Sequence, residues 1–223
     1  MGKKRTNSSY VKHEAPSQVS PLNQAQAHYL NCIESSTITF GLGPAGTGKT
    51  YCAVALAGDK LYSKDINQII ITRPAVEAGE KLGYLPGELE DKYAPYLEPV
   101  KDIFISKFGK GWYESQIKNE NIKAIPLGFL QGKTFDNCFV IGDEMQNSTR
   151  TQMYMLLTRL GKYSKMVLNG SLGLQKMISG TSGLADAVNR LESVRGVSSY
   201  EFDSDDVVRS GIAKAIVQAY EES

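Results

Sequence analysis

The sequence predicts an α/β fold in which a mainly parallel β-sheet is covered by helices on both faces. Short apolar runs alternate with helical patterns along the chain, as in folds of this class. The segments 67–73 and 137–144 each contain a continuous apolar run, "III" and "CFVIG", which is typical of strands buried on both faces. With 223 residues, 41% hydrophobic and 22% charged, the chain is expected to form one main domain.

The predicted strands are short and rich in β-branched and aromatic residues. They are "STITF" (36–40), "NQIIITR" (67–73), "IKAIPL" (122–127), "NCFVIGDE" (137–144) and "KMVLNG" (165–170). Between the second and third strands, glycines and prolines divide residues 74–100 into a loop with short helices.

Helices are predicted where apolar residues recur at helical spacing. The segment "TYCAVALAGDKLYS" (50–63) lacks proline and is rich in alanine, valine and leucine. A second helix is predicted from Met153, Leu156, Leu157 and Leu160, with Gly161 as its C-terminal stop. A last amphipathic helix is predicted from Ile212, Ala215, Ile216 and Ala219.

Charge and cysteine content exclude several classes of protein. The formal net charge is +1, so the chain lacks the large positive charge of a dedicated nucleic-acid binder. A local basic channel is still compatible with this net charge. Three scattered cysteines argue against a disulfide framework or a zinc site. No apolar run reaches the roughly 20 residues of a membrane span. Residues 1–20 are expected to form a flexible polar tail. The protein is expected to be cytoplasmic, in the cytoplasm of the host cell if a phage encodes the chain.

The segment "GLGPAGTGKT" contains the pattern G-x-x-x-x-G-K-[ST] between a predicted strand and a predicted helix, which is the context that a phosphate-binding P-loop requires. Gly43, Gly46 and Gly48 allow the sharp turns that bring several backbone N–H groups to one anion. Lys49 supplies a positive charge for the β- and γ-phosphates, and the hydroxyl of Thr50 is placed to bind Mg²⁺. The sequence therefore predicts a nucleotide site that also takes Mg²⁺.

Two acids follow the strand "FVIG", at the end of a parallel strand where open α/β sheets bind their ligands. Asp143 is expected to hold Mg²⁺ through water, and Glu144 to act as the general base that activates a water molecule. Alone, two acids at a strand end also suit simple capping of the next element. Beside a P-loop, the catalytic interpretation is favoured.

Four segments together resemble the PhoH family of phosphate-starvation-inducible ATPases. They are "GPAGTGKTY", "TRPAVEAGEKLGYLPGELEDKYAPYLEP", "DEMQNSTRTQMYMLLTRLG" and "DVVR". The second segment is the diagnostic one, because many unrelated proteins have P-loops. The resemblance covers residues 21–223, and the short length resembles single-domain phage-type members.

The resemblance implies a P-loop NTPase with a RecA-like core, similar to the first motor domain of superfamily 1 helicases. It also implies ATP hydrolysis and assembly into a homo-oligomeric ring, expected to be hexameric, that acts on RNA or other nucleic acid. The implied nucleotide contacts are Gln26, Gly43, Pro44, Ala45, Gly46, Thr47, Gly48, Lys49, Thr50 and Tyr51.

Further roles follow from the same resemblance. Gln26 matches the glutamine that reads the adenine edge, and an exposed glutamine at a helix start is the alternative. Arg73, Glu80 and Lys81 match a segment that contacts nucleic acid or couples it to ATP, although Arg73 at a strand end also suits a plain ion pair with an acid. Gln146 matches a sensor of the γ-phosphate. Arg159 and Arg209 are the candidates for an arginine finger donated by a neighbouring subunit.

One departure from the family pattern lies at the end of the strand 165–170. Where the family has "TGD" followed by glutamine, this chain has "LNGSLGLQK", so that Ser171 replaces the acid and Gln175 comes one residue late. Asn169, Gly170 and Ser171 keep the capacity to hydrogen-bond a phosphate or a water. Strand separation is the activity that this change weakens most, whereas ATP binding is unaffected by it.

Two alternative functions remain open from the residues. The first is an ATP-gated scaffold or regulatory module with slow hydrolysis, which the loss of the acid at Ser171 favours. The second is a small-molecule kinase, which the adjacent acids Asp143 and Glu144 disfavour because they suit water activation.

A basic and aromatic stretch, "KFGKGWYESQIKNENIK" (107–123), is the strongest direct sign of nucleic-acid binding. Its rings suit base stacking on single-stranded RNA or DNA. An ordinary helix with one buried tryptophan, Trp112, is the alternative.

Overall fold

The computed structural model describes residues 16–74, 98–172, 182–209 and 211–221. Six parallel strands form one sheet in the order β3-β2-β4-β5-β1-β6. They are β1 (Ile38–Leu42), β2 (Gln68–Thr72), β3 (Ile122–Ala124), β4 (Cys138–Gly142), β5 (Lys165–Gly170) and β6 (Val197–Glu201). Because every strand runs in the same direction, all their carboxyl ends lie along one edge of the sheet.

Seven α-helices are described in these ranges. They are α1 (Gln24–Ser35), α2 (Lys49–Tyr62), α3 (Glu98–Phe108), α4 (Lys110–Lys118), α5 (Arg150–Leu157), α6 (Gly183–Leu191) and α7 (Gly211–Glu221). None of them, within the described ranges, has both the length and the apolar character of a membrane span.

The core has two layers, one on each face of the sheet. On β2, Ile69 and Ile71 pack into the layer that contains α1 and α2, whereas Ile70 packs into the layer that contains α5 and α6. This alternation follows from the two-residue period of a strand, with both faces buried. The predicted fold class, a parallel sheet with helices on both faces, is confirmed.

Helix α5 ends earlier than the spacing of its apolar residues predicts. α5 ends at Leu157, and Leu160 instead forms an isolated bridge with Phe135. Gly161, predicted as the helix stop, lies beside residues 135 and 136, where a Cβ would come within 2.6 Å of the Phe135 carbonyl oxygen. The prediction of Gly161 as the stop was wrong, because pairing with the chain before β4 competes with the last helical turn.

The N-terminal residues from 17 onward are packed against the domain. The backbone N–H of Val19 donates to Asp59 of α2 at 2.7 Å, and Lys107 of α3 donates to the carbonyl of Ser17. These contacts fall inside the segment 1–20 that the sequence predicts as a tail.

The aromatic stretch after residue 107 packs inward. α3 and α4 meet at Gly109, which has a positive φ of 85°. The Trp112 ring stacks on Phe108 with centroids 4.4 Å apart and also neighbours Phe104 at 6.1 Å. Lys107 forms an ion pair with Asp59 at 3.1 Å. Trp112 is only partly buried, but its ring packs against the core, so the structure favours the ordinary-helix alternative for this stretch over base stacking.

Candidate functional site

A cleft of about 400 Å³ lies at the carboxyl edge of the sheet. Its lining comes from the loop after β1, the first turn of α2, the ends of β2, β4 and β5, α3, and the segment after β6. The lining residues are Gly43, Ala45, Gly46, Gly48, Lys49, Thr50, Tyr51, Arg73, Pro99, Ile103, Asp143, Glu144, Gly170, Ser171 and Arg209.

The loop between β1 and α2 has the backbone that its glycines predict. Gly43, Gly46 and Gly48 have φ values of 121°, 89° and 90°, a region that other residues rarely adopt. Lys49 begins α2, and its ammonium group donates to the carbonyls of Gly43 at 2.9 Å and Pro44 at 2.6 Å. The loop thus curves around its own lysine, at the positive end of a 14-residue helix.

Thr50 and Asp143 meet across the cleft. The Thr50 hydroxyl donates to Asp143 Oδ1 at 2.9 Å, so the residues predicted to hold Mg²⁺ lie together although 93 positions separate them. A hydroxyl and a carboxylate are hard oxygen ligands of the kind that Mg²⁺ takes beside phosphate and water. No group of three or more His, Cys, Asp and Glu side chains suited to a metal occurs among the described residues. As two oxygen ligands, Thr50 and Asp143 fit Mg²⁺, which usually keeps several waters and is held by one or two protein groups beside phosphate.

Arg73 occupies the second oxygen of the same acid. Its guanidinium lies 2.5 Å from Asp143 Oδ2, and the two side chains are 15% and 4% exposed. Arg73 was predicted to contact nucleic acid or to couple it to ATP. The structure places Arg73 in the cleft, in the ion pair that was the alternative. Glu80 and Lys81, predicted with it, lie outside the described residues.

Glu144 and Gln146 form a link between β4 and β5. Glu144 is exposed, lines the cleft and has a positive φ of 54°, an uncommon conformation for this residue type. Gln146 is buried and donates to Glu144 Oε2 at 2.6 Å. Its own Oε1 accepts from the backbone N–H of Ser171 at 3.2 Å. One amide therefore fixes the predicted base relative to the end of β5.

Gln26 is fully buried beneath the loop, not exposed at a helix start. Its Nε2 donates to the Thr47 carbonyl at 3.0 Å, and its Oε1 accepts from the Leu22 N–H at 2.9 Å. α1 is thereby joined to the P-loop. The exposed-glutamine alternative is wrong, and recognition of adenine by Gln26 stays a prediction.

Asn169 does not line the cleft, although the sequence suggested that it could bond a phosphate. Its side chain is 1% exposed and accepts a 2.5 Å hydrogen bond from the Tyr29 hydroxyl of α1. Burial raises the pKa of Tyr29 well above its ordinary value, with further increases from Cys52 and Asp143. Sequence reasoning missed this pair, because the contact joins positions 140 residues apart.

The two candidate arginine fingers lie at different ends of the sheet. The Arg159 carbonyl accepts from Phe135, which precedes β4, so this residue lies towards the amino ends of the strands and away from the cleft of its own chain. Arg209 lines the cleft itself. Arg159 is therefore remote from the cleft of its own chain, whereas Arg209 lines that cleft beside the P-loop, and the finger role of both residues stays a prediction.

A model of the PhoH-like protein family matches residues 18–221. The chain belongs to the PhoH family. The PhoH-like protein of Bacillus subtilis is 43% identical over 198 residues, which are 88% of this chain and 62% of that protein. The Escherichia coli K12 protein PhoH is 40% identical over 201 residues, which are 89% of this chain and 57% of the relative. This chain thus spans about three fifths of the length of these PhoH relatives.

Solved structures similar to this PhoH-family chain are more distant. The Sulfolobus solfataricus SWI2/SNF2 ATPase core in complex with dsDNA has a TM-score of 0.45 and 12% identity, over 69% of this chain and 34% of that one. The Pif1 helicase of Candida albicans has a TM-score of 0.42 and 14% identity, over 83% of this chain and 41% of the helicase.

Proposed function

We propose that this chain binds ATP with Mg²⁺ in the cleft and hydrolyses it. The observation that carries the proposal is the hydrogen bond from Thr50 to Asp143, which joins the P-loop to the acidic end of β4. A glycine-rich turn without a nucleotide would not need an acid at this point. Membership of the PhoH family supports the same activity.

Each residue in the cleft has a part in the proposed chemistry. The loop N–H groups and Lys49 bind the phosphates and offset the charge that develops on them. Thr50 and Asp143 would hold Mg²⁺, which when bound stabilises negative charge on the phosphate oxygens.

Glu144 accepts the proton of the attacking water, and Gln146 keeps that carboxylate in position through its 2.6 Å hydrogen bond. Because the other end of Gln146 is bonded to Ser171, a movement of β5 on phosphate binding alters the position of the base. Ser171 itself offers a hydroxyl where the family pattern has an acid. This difference lowers the charge beside the terminal phosphate.

Assembly and polymer binding complete the proposal. We infer a homo-oligomeric ring, expected to be hexameric, that acts on single-stranded RNA or DNA in the cytoplasm. The position of Arg159, away from its own cleft, supports a contribution to a neighbour's site. The family resemblance is the main support for the ring and for nucleic acid.

Phosphate release from ATP by the purified full chain tests the proposal. It is measured with and without Mg²⁺ and single-stranded RNA or DNA, with the oligomer mass determined in parallel. Glu144→Gln is the control for contaminating ATPases. Mg²⁺-dependent turnover that disappears in Glu144→Gln supports hydrolysis, and stimulation by RNA or DNA supports action on a polymer.

An ATP-gated scaffold is the second candidate, favoured by Ser171 in place of the acid. Tight ATP binding with negligible turnover under all these conditions would support the scaffold and contradict the ATPase. Transfer of phosphate to an added small-molecule acceptor would indicate a kinase instead.

A further inference from the structure

The segment after β6 crosses over the P-loop of the same chain. The N–H of Phe202 donates to the Leu42 carbonyl at 2.9 Å and so extends the pairing of β6 with β1. The Phe202 carbonyl lies so close to Gly43 that a Cβ there would be 2.3 Å from it. The P-loop and residue 202 are thus in direct backbone contact.

A second contact lies at the tip of the loop. The N–H of Val208 donates to the Gly46 carbonyl at 3.0 Å. A Cβ on Gly46 would be 2.8 Å from both Cδ and Nε of Arg209. The arginine side chain therefore lies directly on the turn that is predicted to surround the phosphates.

The segment between these contacts is held by its own hydrogen bonds. Asp203 Oδ1 accepts from the N–H groups of Asp205 at 2.7 Å and Asp206 at 3.1 Å, and Asp206 Oδ2 accepts from the N–H of Asp203 at 3.1 Å. The Asp206 carbonyl also accepts from the Asn23 side chain at 3.4 Å. Arg209 thus extends from an ordered turn.

The charge distribution indicates what Arg209 binds. The other arginine of the cleft, Arg73, is paired with Asp143, but no carboxylate forms an ion pair with Arg209 in the described ranges. A guanidinium has five N–H donors and no acceptor, and its planar arrangement matches phosphate oxygens. Lys49 lies in the same cleft, so two cations face one space.

We propose that Arg209 contacts the terminal phosphates of the nucleotide bound by its own chain, so that this arginine acts in cis. The inference rests on the proposed nucleotide site, and it says which chain supplies one of the cationic groups that contact the phosphates. A finger donated by a neighbour, if the ring has one, then comes from a different residue.

Binding of a fluorescent ATP analogue with Mg²⁺ gives the first test. Arg209→Ala is expected to bind about 10- to 100-fold more weakly than the wild type, as for loss of a charged hydrogen bond. The matched control is Arg195→Ala, which removes another exposed arginine with no ion pair in the described ranges. Equal affinity of Arg209→Ala and wild type would overturn the proposal.

Mixing variants separates cis from trans action. Arg209→Ala keeps the base, and Glu144→Gln keeps the arginine, so a trans arginine would restore turnover when the two proteins are combined and allowed to exchange subunits. If Arg209 acts in cis, the mixture hydrolyses no more ATP than the separate proteins together. Recovery of turnover would overturn the proposal.

Failure of the proposed function has a different signature. In that case wild type and Arg195→Ala would themselves show no Mg²⁺-dependent turnover. The binding comparison would still report on Arg209, because it does not require hydrolysis.

Discussion

The Thr50 hydroxyl donates a 2.9 Å hydrogen bond to Asp143, and this contact joins the two halves of the cleft. In the proposed function, the first half, the P-loop with α2, binds phosphate, whereas the second half, β4 with its acids, holds a metal ion and a water. Because Asp143 also pairs with Arg73, the acid is fixed by two neighbours at once. The predictions below test these contacts separately.

Removal of the Thr50 hydroxyl is expected to disturb Mg²⁺ binding. Thr50→Val keeps the side-chain shape but loses a proposed ligand and the bond that orients Asp143. We expect the Mg²⁺ concentration for half-maximal ATP turnover to rise about 10- to 100-fold, as when a partner in a metal site is lost. Thr50→Ser, which keeps a hydroxyl, is the control. An unchanged Mg²⁺ dependence of Thr50→Val would contradict the assignment.

Loss of Arg73 is expected to destabilise the protein and increase its response to Mg²⁺. Asp143, at 4% exposure, would keep a buried charge without its cationic partner, and breaking such a pair costs about 3–5 kcal/mol. We expect Arg73→Ala to unfold at lower urea concentration, and added Mg²⁺ to raise its Tm more than that of the wild type. The double variant Arg73→Ala with Asp143→Asn should recover stability. If it did not, the ion pair would not be the cause.

Replacement of Gln146 is expected to slow hydrolysis more than it weakens binding. Gln146→Met fills a similar volume but can neither donate to Glu144 nor accept from Ser171. We expect kcat to fall by about 100-fold, near the lower limit for a disturbed general base, with less than a few-fold change in ATP affinity. Single-turnover kinetics together with equilibrium binding measure the two effects. An equal loss in both would indicate a purely structural residue.

Gln26→Met distinguishes a structural role from recognition of adenine. The variant loses the hydrogen bonds to Thr47 and Leu22, which leaves the buried Thr47 carbonyl and the partly buried Leu22 N–H without these partners. We expect the free energy of unfolding without nucleotide to fall by about 1–3 kcal/mol, measured by urea denaturation. Adenine recognition by Gln26 would appear separately, as a reduced preference for ATP over GTP in the same variant.

The buried Tyr29 hydroxyl is expected to make stability fall in alkaline solution. Its pKa is raised above the ordinary value of 10.0, so above about pH 10 the unfolded chain loses a proton that the folded protein retains. The free energy of unfolding contributed by this group is therefore fully present below pH 10 and decreases as pH rises. Tyr29→Phe should weaken this dependence and cost about 1–2 kcal/mol at neutral pH, because Asn169 loses its partner. Urea denaturation from pH 8 to pH 11 measures both effects.

Local patterns were sufficient to predict the P-loop and the strands around it. The glycine spacing at 43–48, between a strand and a helix, is typical of a P-loop. The observed bounds of β5 match the predicted range 165–170. In contrast, β6 was missed, since "VSSYE" is half exposed at the edge of the sheet and carries no continuous apolar run.

Contacts between distant positions could not be predicted from residue patterns. The position of Arg209 depends on the course of the chain after β6, and the burial of Gln26 depends on the packing of α1 beneath the loop. Both side chains were singled out by resemblance, but their neighbours became known only from the fold. For Asn169, the motif suggested a hydrogen bond to a phosphate or a water, whereas its place in β5 turns the side chain towards Tyr29 of α1.

The aromatic cluster around Trp112 provides an optical signal that needs no label. Trp112 is the one tryptophan of the chain, and its ring lies 6.4 Å from that of Tyr62, the last residue of α2. The first residue of that helix is Lys49, so α2 extends about 20 Å, at roughly 1.5 Å per residue, from the phosphate loop to the tryptophan. Tilting of this helix when nucleotide binds would change the surroundings of the indole, and intrinsic fluorescence could then follow the event in the unmodified protein.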